Sequence, residues 1–535
     1  MAKSKESDKY WRVGEPLVWF SGAALAATLL TAIVLLVVIM VNGLGVFWPA
    51  GLHRLELKDG NRVIGQLMQT VPTADETGLR RQYKIANRDL YGLDFRWLDE
   101  SQILSEESPP EVLVLERIEH GDFYGELKSL ILGGQIKPGS YAGLTAALGV
   151  VEKEQDDLIE LKARLKDVSY RMEQLRLTEL KLDYKKVANN DEARLDLNRQ
   201  VQELKDEFAG LIEVQTHRTE KVRQAKAVFT DANQREKEVV LADVVQVYAP
   251  NRMTVSEKVV FYLKKLAELF TGEPRESNTE GGLFPAIFGT VMLIFVMSLF
   301  SFPLGVIAAI YLREYAKEGV LVKIVRIAVN NLAGIPSIVY GIFGLGFFIY
   351  GIGHTIDTLF FPERMPTPTF GTGGLLWASL TLALLTVPVV IVSTEEALGA
   401  IPREMREGSY ALGATKFQTL VRILLPMASP GIMTGLILAM ARAAGEVAPL
   451  MITGVVKLAP ALPIDGNFPF LHLDRKFMHL GFHIYDIGFQ SPNVEAAKPM
   501  VFVTTLLLVL IVLIMSSVAI RLRNKMKKRY TFGTF

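Results

Sequence analysis

The chain has 535 residues, of which 50% are hydrophobic and 21% are charged, so its composition argues against a protein that is soluble throughout. Lys and Arg (58) balance Asp and Glu (57) to a net charge of +1, which argues against nucleic acid as a partner. Cysteine is absent, which excludes disulfides, Cys-ligated metal centres and thiol nucleophiles.

Six apolar stretches are long enough to cross a bilayer, which takes about 20 residues. The sequence therefore predicts an all-α polytopic membrane protein with six transmembrane helices. The first stretch is about 25 residues long and no small-residue cleavage site follows it, so we interpret it as a retained anchor. The predicted spans lie near 17–42, 283–312, 324–352, 374–394, 430–455 and 500–520.

Basic residues flank these stretches unevenly, and because Lys and Arg resist translocation they predict the orientation. We expect a cytoplasmic N-terminus (1–16), a cytoplasmic tail (521–535) and a cytoplasmic segment between spans four and five (395–429). Alternation of the spans then makes 48–282 a single extracytoplasmic insertion between spans one and two. The basic residues are Lys3, Lys5, Lys9 and Arg12; Arg403, Arg406, Lys416 and Arg422; and Arg521, Arg523, Lys525, Lys527, Lys528 and Arg529.

The insertion divides into three parts by pattern. Alternating stretches punctuated by turns predict a small β-rich module over 48–150. Apolar residues spaced by three and four, from Leu158 to Leu175 and again from Leu197 to Leu211, predict an antiparallel coiled-coil hairpin over 152–240, roughly 50 Å long, which turns at Asn189-Asn190-Asp191. An amphipathic helix is expected over 255–270. The spacing does not distinguish a spacer from an arm that docks a partner.

Standard catalytic and metal-binding motifs are missing from the sequence, including the phosphate-binding P-loop and the H-E-x-x-H zinc motif. We therefore predict that this chain is not an enzyme and has no catalytic residues or cofactor of its own. His472, His479 and His483 lie in the last outer loop, the latter two at i and i+4. Because ordinary loop histidines outnumber metal ligands, no metal site is predicted.

The segment between spans four and five has a definite order of residues. A short helix is expected from Pro402 to Ala411 that ends at Gly413, and a second from Lys416 to Leu424 that Pro426 ends. Two charged helices at a membrane surface would form a docking knob. An ordinary re-entry loop would have the same composition.

This order resembles the coupling-helix signature of ATP-binding-cassette importer permeases. In that family the segment sits in a groove of a separate ATPase subunit and transmits the closure of that subunit to the membrane helices. Glu407-Gly408-Ser409 stands where the family has Glu-Ala-Ala, and small residues are kept. The residues that carry the resemblance, and the implied coupling role, are Glu407, Gly408, Ser409, Gly413, Ile423, Leu425 and Pro426.

Three further stretches, 303–312, 331–341 and 441–450, are similar to segments of the PstA-type permeases of phosphate importers. The resemblance extends from the second span to the sixth and leaves the insertion uncovered. It implies a bacterial inner-membrane permease subunit for inorganic phosphate. The implied partners are a second, PstC-type permease, two PstB-type ATPase subunits that carry ATP-Mg, a periplasmic PstS-type phosphate-binding protein and a phosphate-sensing kinase system.

Two alternatives stay open beside phosphate import. One is a permease for another oxyanion, such as phosphonate or sulfate. The other is a membrane-anchored signalling or scaffold protein built on a permease fold.

Arg442 and Glu446 are charged residues inside the fifth apolar stretch, where an ionised side chain costs about 3 kcal/mol. At i and i+4 of one helix they could neutralise each other as an ion pair. Alternatively they face an aqueous path, where Arg442 presents its planar fork to an oxyanion and Glu446 holds that fork in place. The resemblance favours the path. Ser337, beside Gly334 and Pro336, either lends its hydroxyl to the same path or marks a packing kink.

Overall fold

The computed structural model describes residues 15–73, 78–184, 191–365, 367–491 and 493–530. The predicted turn residues 189–190, the basic flank within 1–14 and residues 531–535 lie outside these ranges. Six helices in the described part of the chain are long and apolar enough to cross a membrane, as the sequence predicts. They are Leu17–Gly45, Phe284–Tyr315, Ser337–Phe360, Leu375–Gly399, Lys416–Gly445 and Val494–Lys528, hereafter spans one to six.

Span three begins later than the predicted 324–352. Residues Val320–Leu332 form a separate helix, and span three starts at Ser337 after a break at 333–336. Proline explains the break, because Pro336 has no amide hydrogen to donate and disfavours helical backbone at the residue before it. Span three then runs through Ser337–Phe343, a π-helical stretch Gly344–Gly353 and His354–Phe360.

Span five also departs from its prediction, 430–455. Its helix runs from Lys416 through a π-helical turn, Leu420–Leu424, to Gly445, and a short helix, Ala448–Thr453, follows. Pro426 was expected to end a helix at this turn, and that expectation is wrong. The amide of Leu425 bonds to the carbonyl of Leu420, five residues back, so the turn is widened just where the proline ring needs space.

Span four, Leu375–Gly399, is the central helix of the bundle and packs against spans two and five. Glycines allow the close approach: a Cβ added at Gly305 would lie 2.7 Å from Val390, and one at Gly435 would lie 2.7 Å from Ser393. Span two comprises Phe284–Ile310 and a π-helical turn, Tyr311–Tyr315. The core between these spans includes Leu293, Met297, Leu382, Leu385 and Ala443, all of them buried.

Between spans one and two the chain folds into two large antiparallel sheets. Their strands are β1 His53–Leu57, β2 Arg62–Pro72, β3 Leu79–Lys84, β4 Phe95–Asp99, β5 Ile103–Glu107, β6 Leu113–Arg117, β7 Phe123–Leu132, β8 Gln135–Pro138, β9 Lys226–Thr230, β10 Glu236–Val240 and β11 Val244–Tyr248. The five-stranded sheet has the order β4-β3-β2-β1-β5, and the six-stranded sheet has the order β10-β9-β7-β6-β11, with β8 paired to β7. Short helices at Arg88–Tyr91, Glu100–Gln102 and Leu241–Asp243 connect strands.

A long helical hairpin, here called the arm, leaves the module after β8 and returns at β9. Its helices are Tyr141–Tyr184 and Asp191–Arg223. The predicted division into a module over 48–150 and a hairpin over 152–240 is therefore corrected, because residues 226–248 rejoin the sheet. The signal was local: β-branched and aromatic residues crowd this stretch, and Val228, Phe229 and Val239 are buried.

The arm lies back against loops that connect spans of the membrane domain. The Tyr170 hydroxyl donates to the carbonyl of Phe468 at 2.8 Å, and Lys181 lies 3.9 Å from Glu363. Between its two helices, buried Leu158, Leu161 and Leu165 lie on the predicted seam. The arm is thus fixed both to the module and to two loops between spans.

The connection to span two is a helix, Val255–Thr271, followed by paired strands β12 Pro274–Arg275 and β13 Glu280–Gly281. The Thr254 side chain caps this helix by accepting from the Glu257 amide, and the Glu257 carboxylate accepts from the Thr254 amide. The module also touches the start of span six, where Gln82 donates to Glu495 at 3.4 Å. Span six is preceded by a helix, Leu480–Tyr485, and a π-helical turn, Asp486–Gln490, and its own helix is Val494–Tyr530.

Candidate coupling segment and translocation site

The segment after span four forms a helix, Arg403–Ala411, and then turns sharply. Gly413 adopts a left-handed backbone, with φ of 81°, and donates its amide to the Tyr410 carbonyl at 2.9 Å. Glycine adopts this conformation without the steric cost of a Cβ. Thr415 then caps the helix of span five through the amide of Gln418. Gly413 therefore sets the angle between the two helices.

The predicted signature divides into an exposed set and a set that is buried or partly buried. Glu407, Gly408 and Gly413 are exposed beside Leu412, whose side chain is 91% exposed. Ser409 is buried, and its hydroxyl lies 2.8 Å from that of Thr419. A further set of signature residues, Ile423, Leu425 and Pro426, is partly buried, and the first two pack against the cluster around Leu398 and Leu420. The exposed set is available to a partner, and the buried set joins the segment to the spans.

Arg406 anchors this segment to the membrane helices. Its guanidinium donates to Glu314 at 3.0 Å, to the Leu398 carbonyl at 2.7 Å and to the Ile401 carbonyl at 2.9 Å. Glu314 lies at the end of span two and Leu398 at the end of span four. One side chain thus ties the surface helix to two spans. The sequence carried a signal that we missed, because a glutamate at the end of an apolar span requires a nearby cation.

A second ion pair holds the helix Val320–Leu332. Arg326 lies 3.4 Å from Glu395 of span four and donates to the Leu312 carbonyl of span two at 3.2 Å. Together with Arg406, it places two arginines at the same end of spans two and four. A displacement of the surface helix would therefore act directly on both spans.

The first helical segment of span three, Ser337–Phe343, packs against the short helix after span five, Ala448–Thr453. A Cβ added at Gly341 would lie 2.8 Å from the Cα of Pro449, so only glycine permits this approach. The Tyr340 hydroxyl donates to the Leu332 carbonyl at 2.7 Å, across the break in front of span three. Irregular backbone in the membrane is tolerated where it is buried in protein or lines a water-filled cavity.

Arg442 and Glu446 lie at the break of span five. Arg442 is in the last helical turn, whereas Glu446 is the first residue beyond the helix, with extended backbone (φ −80°, ψ 132°). The prediction that both lie on one face of a continuous helix is therefore corrected. Their nearest atoms, Arg442 Nε and Glu446 Oε1, are 3.7 Å apart, and the side chains are 32% and 22% exposed. This distance is short enough for an ion pair but longer than a hydrogen bond. Among the described residues, no hydrogen bond engages the Arg442 guanidinium, so its donors can bind an acceptor.

Ser337 is the first residue of span three, directly after Pro336, and its side chain is partly exposed. Within the described residues, no hydrogen bond joins its hydroxyl to Arg442 or Glu446. The structure thus places Ser337 at the break of span three, while the ion pair lies at the break of span five.

The three histidines between spans five and six have structural contacts. His479 accepts from the Gly481 amide through Nδ1 at 3.1 Å, and the Nδ1 of His483 lies 3.2 Å from the Thr504 hydroxyl. Burial lowers the pKa of both to about 4, so both are neutral at pH 7. His472 lies 3.0 Å from Asp465. In the described part of the chain, no cluster of three or more His, Asp or Glu side chains could hold a metal ion.

Comparison with known proteins gives one consistent result. Residues 301–528 match the family described as binding-protein-dependent transport system inner membrane component. The chain is 37% identical over 194 residues to the phosphate transport system permease protein PstA of Mycobacterium leprae, which covers 36% of this chain and 58% of that protein. It is 33% identical over 221 residues to the probable phosphate transport system permease protein PstA of Methanocaldococcus jannaschii, covering 41% and 67%. The resemblance predicted from the sequence is confirmed.

Other matches cover a similar part of the chain. The probable ABC transporter permease protein YqgH of Bacillus subtilis is 35% identical over 194 residues, which is 36% of this chain and 59% of that protein. The chain thus spans less than two thirds of the length of several curated relatives. Among solved structures, the inward-facing MetNI methionine ABC transporter matches at 20% identity with a TM-score of 0.34, covering 46% of this chain and 95% of the other.

Proposed function

The chain belongs to the family of binding-protein-dependent transport system inner membrane components, and from this premise we propose that it is the permease subunit of an ATP-driven importer of inorganic phosphate. Two relatives, 37% and 33% identical, carry phosphate transport permease names. The observation that carries the proposal is Arg442, a cation at a helix break inside the membrane domain whose guanidinium has no hydrogen-bond partner among the described residues.

Arg442 is suited to an oxyanion by both charge and shape. Its planar guanidinium presents several donors to the oxygens of a tetrahedral anion, and such charge-assisted bonds are strong. Glu446, 3.7 Å away, is close enough to orient the guanidinium and to oppose lasting capture of an anion. Ser337, at the start of span three, contributes a hydroxyl. These three residues form the proposed substrate path.

The exposed set of the coupling segment is the proposed docking site for an ATPase subunit. Glu407, Gly408 and Gly413 lie on its exposed side. Leu412 and Phe417 lie beside them and are 91% and 66% exposed. Large apolar side chains this exposed are typical of a binding surface. Movement of this surface would reach spans two and four through Arg406.

The proposed assembly follows from one permease chain supplying half of a transport path. It contains a second, PstC-type permease, two PstB-type ATPase subunits with bound ATP-Mg and a PstS-type phosphate-binding protein, and it communicates with a phosphate-sensing kinase. Both termini and the coupling segment face the cytoplasm, and the insertion of sheets and arm faces the periplasm. The buried seam of the arm supports its description as a coiled coil.

Uptake measurements on the assembled importer test the substrate path. Arg442→Gln should lower the uptake of labelled phosphate by about 10- to 100-fold, because one charge-assisted contact with the anion is lost. Glu446→Gln should lower it less. An excess of sulfate or phosphonate shows whether another oxyanion is carried instead.

The double variant Arg442→Gln, Glu446→Gln decides between substrate path and structural ion pair. A structural pair predicts that each single variant loses protein and that the double variant regains both abundance and uptake. Recovered uptake would therefore reject the assignment of Arg442 to phosphate. Normal abundance of the single variants with lost uptake supports it.

Docking of the ATPase is tested separately on the exposed set. Glu407→Lys and Gly413→Pro should reduce uptake and release the ATPase subunit during purification, while the permease stays in the membrane. Glu318→Lys is the matched control, because Glu318 is exposed in the loop after span two and lies outside the segment. Uptake at the level of the control in both variants would contradict the docking role.

A further inference from the structure

A cavity of about 200 Å³ lies where the two sheets of the insertion meet. Its walls come from the start of β2, the end of β3, β4 and the turn between β9 and β10. The amide of Arg62 donates to Asn233 Oδ1 at 3.0 Å, so both sheets are linked at its edge. Apolar residues of the wall, Ile64, Ile85 and Ala232, are buried, which gives the cavity a fixed floor.

Three arginines from separate segments line this cavity: Arg62, Arg96 and Arg235. Like charges brought together repel each other unless anions balance them. Arg62 is partly balanced by Glu56 at 3.3 Å. Among the described residues, no carboxylate forms an ion pair with Arg96 or Arg235. The guanidinium of Arg235 lies 5.6 Å from the ring of Tyr91, which limits its orientations.

The nearby carboxylates are already engaged. Asp231 accepts from the Tyr91 hydroxyl at 2.6 Å and from the amides of Asn233 and Arg235, both at 2.8 Å. Asp59 accepts from the side chain and the amide of Asn61 at 2.9 and 3.0 Å. Both aspartates keep their negative charge, and the charge of Arg96 acts on Asp59. Among the described residues, neither aspartate forms an ion pair with the guanidinium groups of Arg96 and Arg235, so those donors remain available to a ligand.

The backbone around the cavity is strained. Asn87, in its wall, has a φ of 54°. Ala86, which precedes Asn87 in the chain, and Gln234, in the turn beside the cavity, have φ of 48° and 60°. Residues with a side chain rarely adopt this conformation, and such residues cluster where a site must be held in one geometry. Asn87 is held by two bonds to the backbone of Tyr124, at 2.7 and 2.9 Å.

We propose that this arginine pocket binds a small tetrahedral oxyanion, of the phosphate or sulfate type, at a site separate from the membrane spans. The cavity is large enough for such an anion with a few waters and too small for a sugar chain or a peptide. Guanidinium groups match the oxygens of a tetrahedral anion, and the polar rim of Asn61 and Asn233 favours a hydrated ion. The site does not depend on transport, so its test is independent of the proposed function.

Binding is measured on the full-length chain in lipid nanodiscs, with radiolabelled inorganic phosphate as the probe. Arg442→Gln serves as the background, which removes the proposed site in the spans. In that background one saturable site should remain. Adding Arg96→Gln and Arg235→Gln should weaken it at least about tenfold. Absence of saturable binding in the Arg442→Gln background would overturn the proposal.

A matched control separates the pocket from general surface charge. Arg80→Gln changes a half-exposed arginine of β3 that pairs with Asp99 outside the pocket, and it should leave binding unchanged. Equal losses in Arg80→Gln and in the pocket variants would overturn the proposal. Unchanged thermal midpoints of the pocket variants show that they fold, and Arg96→Lys with Arg235→Lys should restore part of the binding.

Competition distinguishes the possible ligands. Displacement of phosphate by excess sulfate assigns the pocket to tetrahedral oxyanions in general, and failure of sulfate assigns it to phosphate. Both results support the site. Displacement by malonate at equal concentration, with sulfate inactive, would show a carboxylate site and overturn the proposed ligand.

Discussion

Charged side chains serve different purposes in the insertion and in the membrane domain. On the arm, pairs such as Arg164–Glu160 are 67% and 68% exposed, and such pairs contribute little to stability. In the membrane domain, Arg406–Glu314, Arg326–Glu395 and Arg442–Glu446 lie where spans end or break. A charge on the arm indicates a solvated surface, whereas a charge near a span indicates a departure from regular helix.

One region of the insertion resembles the membrane domain because its ion pairs are largely buried. Where the module meets the connection to span two, Lys84 lies 2.6 Å from Asp122, and Lys265 pairs with both Glu116 and Glu268. All these side chains are largely buried. Buried pairs thus mark the junctions of the molecule in both regions.

The largest difference between the two regions is expected from one matched pair of variants. Arg406→Gln leaves Glu314 without its cation in a site where both side chains are less than one fifth exposed, so the free energy of unfolding should fall by about 3 kcal/mol. Arg164→Gln on the arm should change it by less than about 0.5 kcal/mol. Chemical unfolding of the purified chain measures both, and equal changes would refute the distinction.

A pH series tests the buried charges at the junction. Burial, together with the negative charge of Asp122, raises the pKa of Glu280 to about 7. A group whose pKa rises on folding stabilises the fold while it is protonated, and this contribution is lost as pH rises from about 5 through 7.

Glu280→Gln should therefore unfold like the wild type at pH 5 and be more stable by about 2 kcal/mol at pH 8. Glu273→Gln is the control, because Glu273 is exposed in the same connection. Thermal midpoints across this range measure the effect. Parallel curves for Glu280→Gln and the wild type would show that this carboxyl is not buried as described.

The smallest effect concerns backbone geometry in the coupling segment, where charge is not involved. A Cβ at either Gly408 or Gly413 would meet no atom within 4 Å. Only Gly413 has a left-handed backbone, so Gly413→Ala should destabilise by about 1 kcal/mol, while Gly408→Ala, within a helix, should stabilise by up to about 1 kcal/mol. Unfolding shifts of the same sign would contradict this assignment.

Local patterns sufficed to predict the six spans and the helix end at Gly413. A run of apolar residues is enough to predict a span, whatever packs against it. The helix end at Gly413 could be predicted because glycine adopts a left-handed backbone without steric cost. Pro426 shows the limit of such reasoning. A proline predicts a helix end, but here the widened turn before Pro426 makes room for its ring and the helix continues. Whether the turn widens depends on the packing of Leu420 and Leu424, which lie in a buried cluster.

Long-range partners explain the remaining misses. Arg406 reaches Glu314, and the strands after the arm pair with strands before it. A local window shows that Glu314 needs a cation and that 226–248 favours strands, but it does not show which partners they take. Glu446 lies beyond its helix because span five ends at Gly445 and the next helix is fixed against Gly341 by Pro449. The identities of these residues were predictable, whereas their relative positions required the fold.

The position of the arm within the six-stranded sheet affects how the protein is made. Strand β6 pairs with β11, so that Val114 lies opposite Tyr248, and the whole arm is encoded between them. A ribosome therefore completes both helices of the arm before it releases the strand that closes the sheet. Contacts this distant in sequence form slowly, because a long loop must be closed first. The sheet thus remains open at β6 during synthesis of the arm, and an unpaired strand edge is the part of a nascent chain most exposed to wrong partners.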